Sequence, residues 1–413
     1  MSPFSKKIYA AAGFTTVFMG SGRPEFRPGE PRRPFEDYLL ETAQGTMASM
    51  GNPEFDEGVI GAFMAQRFLK QGNLPGFLPF MVPSLSGKPC FAVEGACGTG
   101  GRAIGLAIRS LLALDRDALF VSGFEMQNTV KSLYGADYLS GAAYFRKERK
   151  KGHAFFFPGI FSGKAGAYYK KWGEEKARKA MARWHEHAIL CARKNPKAQE
   201  AFNQDGDPFA LGMTPPNPSR FVPCLNFYDC SKVSDGAASI GLFSERGLHR
   251  AGIRQEDAVE IVGIGEAEAD ITIPPEDEAF LHTTKIAVDK ALDQARLDRR
   301  EIAVLEIHDC FTITALLSFE AAGFAKQGQA PDLIEEGRHL ITGTIPTNMS
   351  GGLSGFGHPT GATGVRQLVD LEKQLTGKAA NQAPLKTPYG MMISMGGNDK
   401  TVTCLIVRKG GVG

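Results

Sequence analysis

The chain contains no Cys-x-x-Cys pair, and its seven cysteines (Cys90, Cys97, Cys191, Cys224, Cys230, Cys310 and Cys404) are odd in number and widely scattered. A zinc ribbon and a disulfide framework both need closely spaced or paired cysteines. Neither is expected, no metal site is expected, and a reducing cytoplasm is the natural setting. Excess charge is nearly absent as well, because 47 Lys and Arg against 45 Asp and Glu leave a formal +2. Nucleic acid and anionic membrane surfaces select a strong basic excess, so neither is an expected partner. No uninterrupted apolar run approaches the ~18 residues needed to cross a bilayer. The run following Lys6 and Lys7 is broken by Thr15, Thr16 and Gly20, too soon for a signal peptide. What is left, 413 residues with 43% hydrophobic and 22% charged side chains, fits a globular protein large enough for two or three domains.

Read in order, Lys7–Gly13 suggests a first strand, Glu36–Met50 a helix, Glu57–Leu69 a strand or helix, and Pro89–Val93 a strand. That last strand enters Gly95-Ala96-Cys97-Gly98-Thr99-Gly100-Gly101, which opens into a helix and is followed by an apolar strand at Asp117–Gly123. The β-α-β-α-β order is the pattern of an open α/β sheet. Residues 126–230 then turn rich in aromatics, glycine and lysine and read as an insertion. Its charge run Arg146–Lys151 is either a solvated face or a contact for phosphates. His185 and His187 are two apart, hence on different faces of a helix and poorly placed as joint metal ligands. Strands return at Ser234–Phe243 and Val259–Gly265, a helix at Ala279–Ala295, and a buried strand at Ile302–Ile307 that delivers His308-Asp309-Cys310-Phe311 to another helix. Asn348–Gly364, with His358 inside a glycine-rich stretch, precedes a helix at Val365–Thr376, and a hairpin around Gly396-Gly397-Asn398-Asp399 closes the chain. The second half thus repeats the pattern of the first, strand, reactive turn, helix, strand.

Four reactive side chains, Cys97, His308, Cys310 and His358, fall at strand-to-helix turns or loop ends. In open α/β sheets, ligands bind at such positions. At a helix start, free N–H groups and the helix dipole favour thiolate at Cys97. A histidine would supply the base, a second cysteine an acid/base, and histidine or backbone N–H groups an oxyanion site. Such a set suits acyl transfer through a thioester. Two other readings of the first turn stand beside it: a buried structural cysteine, and a dinucleotide fingerprint in Gly98-x-Gly100-x-x-Ala103.

Gly95-Ala96-Cys97, Ser234-Asp235-Gly236-Ala237-Ala238, Gly357-His358-Pro359-x-Gly361-Ala362 and Gly396-Gly397 together resemble the thiolase superfamily, over Lys7–Val407. His308-Asp309-Cys310-Phe311 is similar to the sterol-carrier-protein type of thiolase. Ordinary thiolases carry Asn-Glu-Ala-Phe there and a Cys-x-Gly where this chain has Ser394-Met395-Gly396. The resemblance implies a thiolase fold in the α/β class, two similar mixed-sheet halves in a five-layered αβαβα core. The halves would be 1–125 with 231–272, and 273–413, with 126–230 an inserted loop domain. It implies thiolytic cleavage of a 3-oxoacyl-CoA, or the reverse Claisen condensation, with coenzyme A as cosubstrate and no permanently bound cofactor. Cys97 would be acylated, His358 would activate it, and Cys310 would move the proton. His308 and His358 would line the oxyanion site of the enolate, and the backbone N–H groups of Cys97 and Gly396 would hold that of the acyl-enzyme. It also implies a homodimer or tetramer and, for several members, a small zinc-ribbon/OB-fold partner subunit. The overall sequence resembles thiolases of aromatic degradation, such as the one cleaving 2-benzoylsuccinyl-CoA. Phe77–Met81 and Phe155–Phe157 could line an aromatic or branched acyl pocket. The alternatives are a thiolase-like aldolase or lyase, against which the presence of Cys97 counts, and a non-catalytic scaffold subunit.

Overall fold

A computed structural model describes residues 4–149 and 154–412. Its strands are β1 (Ile8–Thr15), β2 (Glu57–Gly61), β3 (Cys90–Val93), β4 (Ala118–Met126), β5 (Asp235–Ser244), β6 (Ala258–Glu268), β7 (Ile302–Glu306), β8 (Tyr389–Gly396) and β9 (Thr401–Lys409). They hydrogen-bond in the order β3-β2-β4-β5-β1-β6-β9-β8-β7. The parallel pairs are β2 with β3, β2 with β4, and β7 with β8; the rest are antiparallel, so the sheet is mixed. The order β2-β4-β5-β1 on one side is matched by β7-β8-β9-β6 on the other. The two halves join at the short β1–β6 pairing of Tyr9, Ala10 and Ala11 with Glu260, Val259 and Ala258.

Every residue of β4 and β5 is buried, which is why neither strand alternates apolar with polar: helices cover both faces. Two helices, Thr99–Ala113 and Thr360–Thr376, form the middle layer and touch strands of both halves. Helix Phe35–Met47 covers the outer face of the first half and His282–Ala295 that of the second, completing five layers. The middle layer buries Ile104, Ile108, Leu111, Val365, Leu368 and Val369 against both sheet halves. Its two helices meet at glycines: a Cβ on Gly100 would stand 2.6 Å from Val365 N and 2.7 Å from Gly364 Cα. Backbone therefore touches backbone where the layer begins.

The region 126–230 is helical, as its scarcity of strand patterning suggests, with its main helices at Ser132–Leu139, Phe156–Trp172 and Glu174–Ala192. Its described residues pack into a core shared with the second half. Phe161, Tyr168, Met181 and Trp184 share one apolar cluster with Leu305, Leu316, Phe319 and Ile393 of the second half. Lys150 and Lys151 of the charge run lie outside the described residues, and Arg149 pairs with Asp137 at 3.4 Å. Glu57–Leu69 resolves into strand β2 followed by a short Ala65–Phe68 helix. The His358 helix begins at Thr360, five residues before the expected Val365, because the small Gly361-Ala362-Thr363-Gly364 run fits against the neighbouring backbone. Among the described residues no helix is long and apolar enough to cross a membrane.

Candidate active site

Cys97, His308, Cys310 and His358 line one cavity of about 330 Å³, although they come from three separate turns. Cys97 sits in a tight Ala96–Gly98 turn just before its helix. Ala96 is forced to φ +53°, a left-handed conformation disfavoured for a residue with a Cβ, and this kink turns the cysteine toward the cavity. Thr99 holds the kink from both sides, accepting from Gly95 N at 3.0 Å and donating to Ala96 O at 2.6 Å.

The hydrogen bonds assign roles to the two histidines. Thr363 Oγ1 already donates to Pro359 O (3.0 Å), so toward His358 Nδ1 (2.8 Å) it can only accept. Nδ1 then carries the proton, and Nε2, which has no hydrogen-bond partner among the described residues, presents a lone pair. At His308 the polarity is reversed: Met395 N–H donates to Nδ1 at 3.4 Å, leaving the proton on Nε2. One imidazole is arranged as a base and the other as a donor. Their rings stand edge to face, centroids 5.2 Å apart. Ser234 fixes the His358 backbone by accepting its N–H at 2.9 Å.

Asp309, between His308 and Cys310, does not face the chemistry. It accepts from Asn348 Nδ2 (2.8 Å), Leu353 N (2.8 Å) and Trp184 Nε1 (3.0 Å), and so pins the turn on which its neighbours ride. Burial pushes its carboxyl up to about 6. Trp184 and Asn348 have parts in the site that sequence reasoning did not assign. Asn348 opens the glycine-rich Asn348–Gly364 run, while Trp184 gave no signal beyond being an apolar position on a helix. Glu125, the last acidic residue before the insertion, is buried and accepts from Phe63 N (2.8 Å), Met64 N (3.1 Å) and Thr360 Oγ1 (2.7 Å). It ties the loop after β2 to the start of the His358 helix. Arg366, fully buried one turn further on, bonds Ser350 Oγ (2.9 Å) and Asp370 and lies 3.5 Å from Glu306.

The resting electrostatics differ from expectation at Cys97. Burial, with the nearby carboxyls of Glu125 and Glu94 adding to it, pushes the thiol up to about 12, against the lowering contributed by the N–H groups of Cys97 and Gly397. The helix start alone therefore does not make a thiolate here. Burial raises the Cys310 thiol as well, with Cys97 second. Burial and then Arg366 push His358 down to about 3, and burial and then His358 hold His308 well below its ordinary value. These shifts favour neutral thiols and neutral imidazoles in the cavity at neutral pH, so a thiolate at Cys97 requires transfer of its proton to a neighbouring base. The backbone N–H that reaches the Cys97 sulfur besides its own is that of Gly397, which lines the cavity. Gly396, the expected donor, packs behind the turn against Gly98. The sulfur of Cys97 and one nitrogen from each of His308 and His358 lie within 4.8 Å of one another. The sequence spacing that argued against a metal site did not anticipate this convergence. His185 and His187 lie outside the cavity, the latter bonded through Nε2 to Thr347 O at 2.8 Å.

The rest of the cavity wall is aromatic. Phe161 stacks on Phe311 (centroids 4.4 Å apart) and Phe221 on Phe227 (4.3 Å), with Phe155 and Phe157 beside them. Of the two segments expected to line an acyl pocket, Phe155–Phe157 contributes and Phe77–Met81 does not.

A mixed sheet of two like halves, each half sending a reactive turn into one cleft across a shared helical layer, is the α/β thiolase fold. Ltp2-ChsH2(DUF35) aldolase superimposes with TM-score 0.79 over 99% of both chains at 18% identity. Human mitochondrial 3-ketoacyl-CoA thiolase in complex with CoA does so with TM-score 0.69 over 98% of both chains at 15% identity. In sequence, the chain is 28% identical over 381 residues to acetyl-CoA acetyltransferase of Methanothermobacter thermautotrophicus, covering 91% of this chain and 94% of that protein. Residues 265–409 match the thiolase C-terminal domain-like family.

Proposed function

We propose that this protein is a thiolase of the sterol-carrier type, exchanging acyl groups between coenzyme A thioesters through Cys97. The observation that carries the reading is the pairing of an unpartnered His358 Nε2 with a protonated Cys97 in one cavity with a second cysteine. In cleavage, His358 Nε2 takes the thiol proton as Cys97 sulfur attacks the 3-keto carbon, and the N–H groups of Cys97 and Gly397 hold the resulting alkoxide. Collapse breaks the C2–C3 bond. The departing enolate leans on His308 Nε2–H and takes the Cys310 thiol proton, releasing the coenzyme A ester that carries C1 and C2 and leaving the shortened acyl group on Cys97. Coenzyme A then gives its thiol proton to the Cys310 thiolate and attacks the acyl-enzyme. Cys97 leaves as thiolate and recovers its proton from His358, so every proton is returned. The reverse sequence is the condensation.

The aromatic wall supports an acyl group with a flat or branched apolar body, of which the 2-benzoylsuccinyl group is one example. Strand β3 ends the sheet with an unpaired edge and exposes Phe91, which supports self-association into a dimer. The aldolase likeness bears on fold and on a second reading, carbon–carbon cleavage without an acyl-enzyme. Ltp2-ChsH2(DUF35) aldolase includes a DUF35 component, and a small separate subunit for this chain is part of the proposal. The deciding experiment is incubation with straight-chain and aromatic 3-oxoacyl-CoA esters, with the acyl mass located by peptide mapping. The expected result is an adduct on Cys97, absent in Cys97→Ser, and faster labelling by the aromatic ester. Cleavage persisting in Cys97→Ser would establish the lyase reading instead.

A further inference from the structure

The geometry points to a second use of the same cleft: Cys97, His308 and His358 form a binding site for a single Zn²⁺ or Cd²⁺ ion, and occupancy blocks the nucleophile. One thiol and two imidazoles are the donor set that borderline-soft divalent ions favour. Tetrahedral bonds of about 2.3 Å to sulfur and about 2.0–2.1 Å to nitrogen require donor separations of roughly 3.3–3.6 Å. The three donors already lie within 4.8 Å of one another, so rotation of the Cys97 and histidine side chains closes the set. His358 Nε2 is buried and unpartnered, a lone pair without a proton to meet it. His308 must move its proton from Nε2 to Nδ1 or rotate its ring, which sacrifices only the long 3.4 Å contact from Met395. The fourth corner opens on the cavity, leaving room for water. Binding converts Cys97–SH to a metal-bound thiolate and releases one proton to solvent, with no change of oxidation state. The ion occupies both the attacking sulfur and the lone pair that would activate it.

The test uses the full chain after EDTA treatment, titrated with Co²⁺ as a spectroscopic stand-in and with Zn²⁺ itself. A thiolate-to-cobalt charge-transfer band is expected in the wild type and in Cys310→Ala, and not in Cys97→Ser. His308→Ala and His358→Ala should each weaken Co²⁺ binding at least tenfold. Zn²⁺ should displace Co²⁺, protect Cys97 from iodoacetamide as read by peptide mapping, and release that protection on addition of EDTA. The protection assay needs no variant, so misfolding of a mutant cannot decide the outcome. Absence of the band in the wild type, its persistence in Cys97→Ser, or its loss in Cys310→Ala with retention in Cys97→Ser would each overturn the inference. None of these readouts involves acyl transfer, so they stand or fall separately from the proposed function.

Discussion

Replacing Thr363 by Val tests the tautomer argument with almost no change of shape. The hydroxyl that accepts His358 Nδ1–H at 2.8 Å disappears, and a fully buried N–H is left without a partner. Such a group costs about 1–3 kcal/mol, which the ring can avoid by moving its proton to Nε2 or by turning away. Either escape removes the lone pair from Cys97. At about 1.36 kcal/mol per decade, acylation should slow by roughly 5- to 150-fold. Pre-steady-state mass detection of the Cys97 adduct reads this step apart from carbon–carbon cleavage. Thr363→Ser, which restores the acceptor, should recover most of the rate. If His358→Ala abolishes acylation while Thr363→Val acylates at the wild-type rate, the assignment of Nδ1 as donor and Nε2 as base is wrong.

Three further expectations follow from the same interior. His358 is held neutral down to about pH 3, and its base form is the neutral one, so acylation should stay flat as pH falls from 7 toward 5. An inflection near the ordinary histidine value would contradict the burial that depresses it. Because burial keeps Cys97 protonated, His358→Ala should slow iodoacetamide alkylation at pH 7 by about 100-fold or more, the usual range for loss of a general base; an unchanged rate would mean the thiolate is preformed. Gly100→Ala forces a methyl against Val365 N and Gly364 Cα and should lower unfolding free energy by about 1–3 kcal/mol in urea titrations. A neutral result would show that the two middle helices can separate freely.

The reactive turns were legible in the chain because each is short and local: small residues flank a Cys or His at the end of an apolar strand. Cys97, His308, Cys310 and His358 needed only that pattern and the repeat of it. The protonation state of Cys97 was not legible, since a helix start is visible in sequence whereas the burial that outweighs it, and the carboxyl of Glu125 that adds to it, are products of tertiary packing. Trp184 was hidden for a related reason. It lies 125 residues from Asp309, and nothing in a helix pattern distinguishes a core indole from one whose N–H is spoken for. That the N–H of Gly397 lowers the Cys97 thiol depends on where β8 ends and the backbone turns, a boundary that glycine-rich composition alone leaves open. Composition sets residues 126–230 apart from their flanks, but the core they share with the second half depends on contacts between residues far apart in the chain.

The contact of Gly100 with Gly364 has a consequence for how this site can change over time. Cys97 and His358 stand at the heads of two helices that touch through main chain, so a change in the spacing of these helices requires backbone to move rather than a side chain to be trimmed. The opposite wall of the cleft is built from phenylalanine rings carried largely by helices and loops outside that contact. Substitutions on the wall can reshape the acyl pocket while the spacing of sulfur and imidazole stays put. The architecture thereby lets substrate preference drift under selection without renegotiating the reaction.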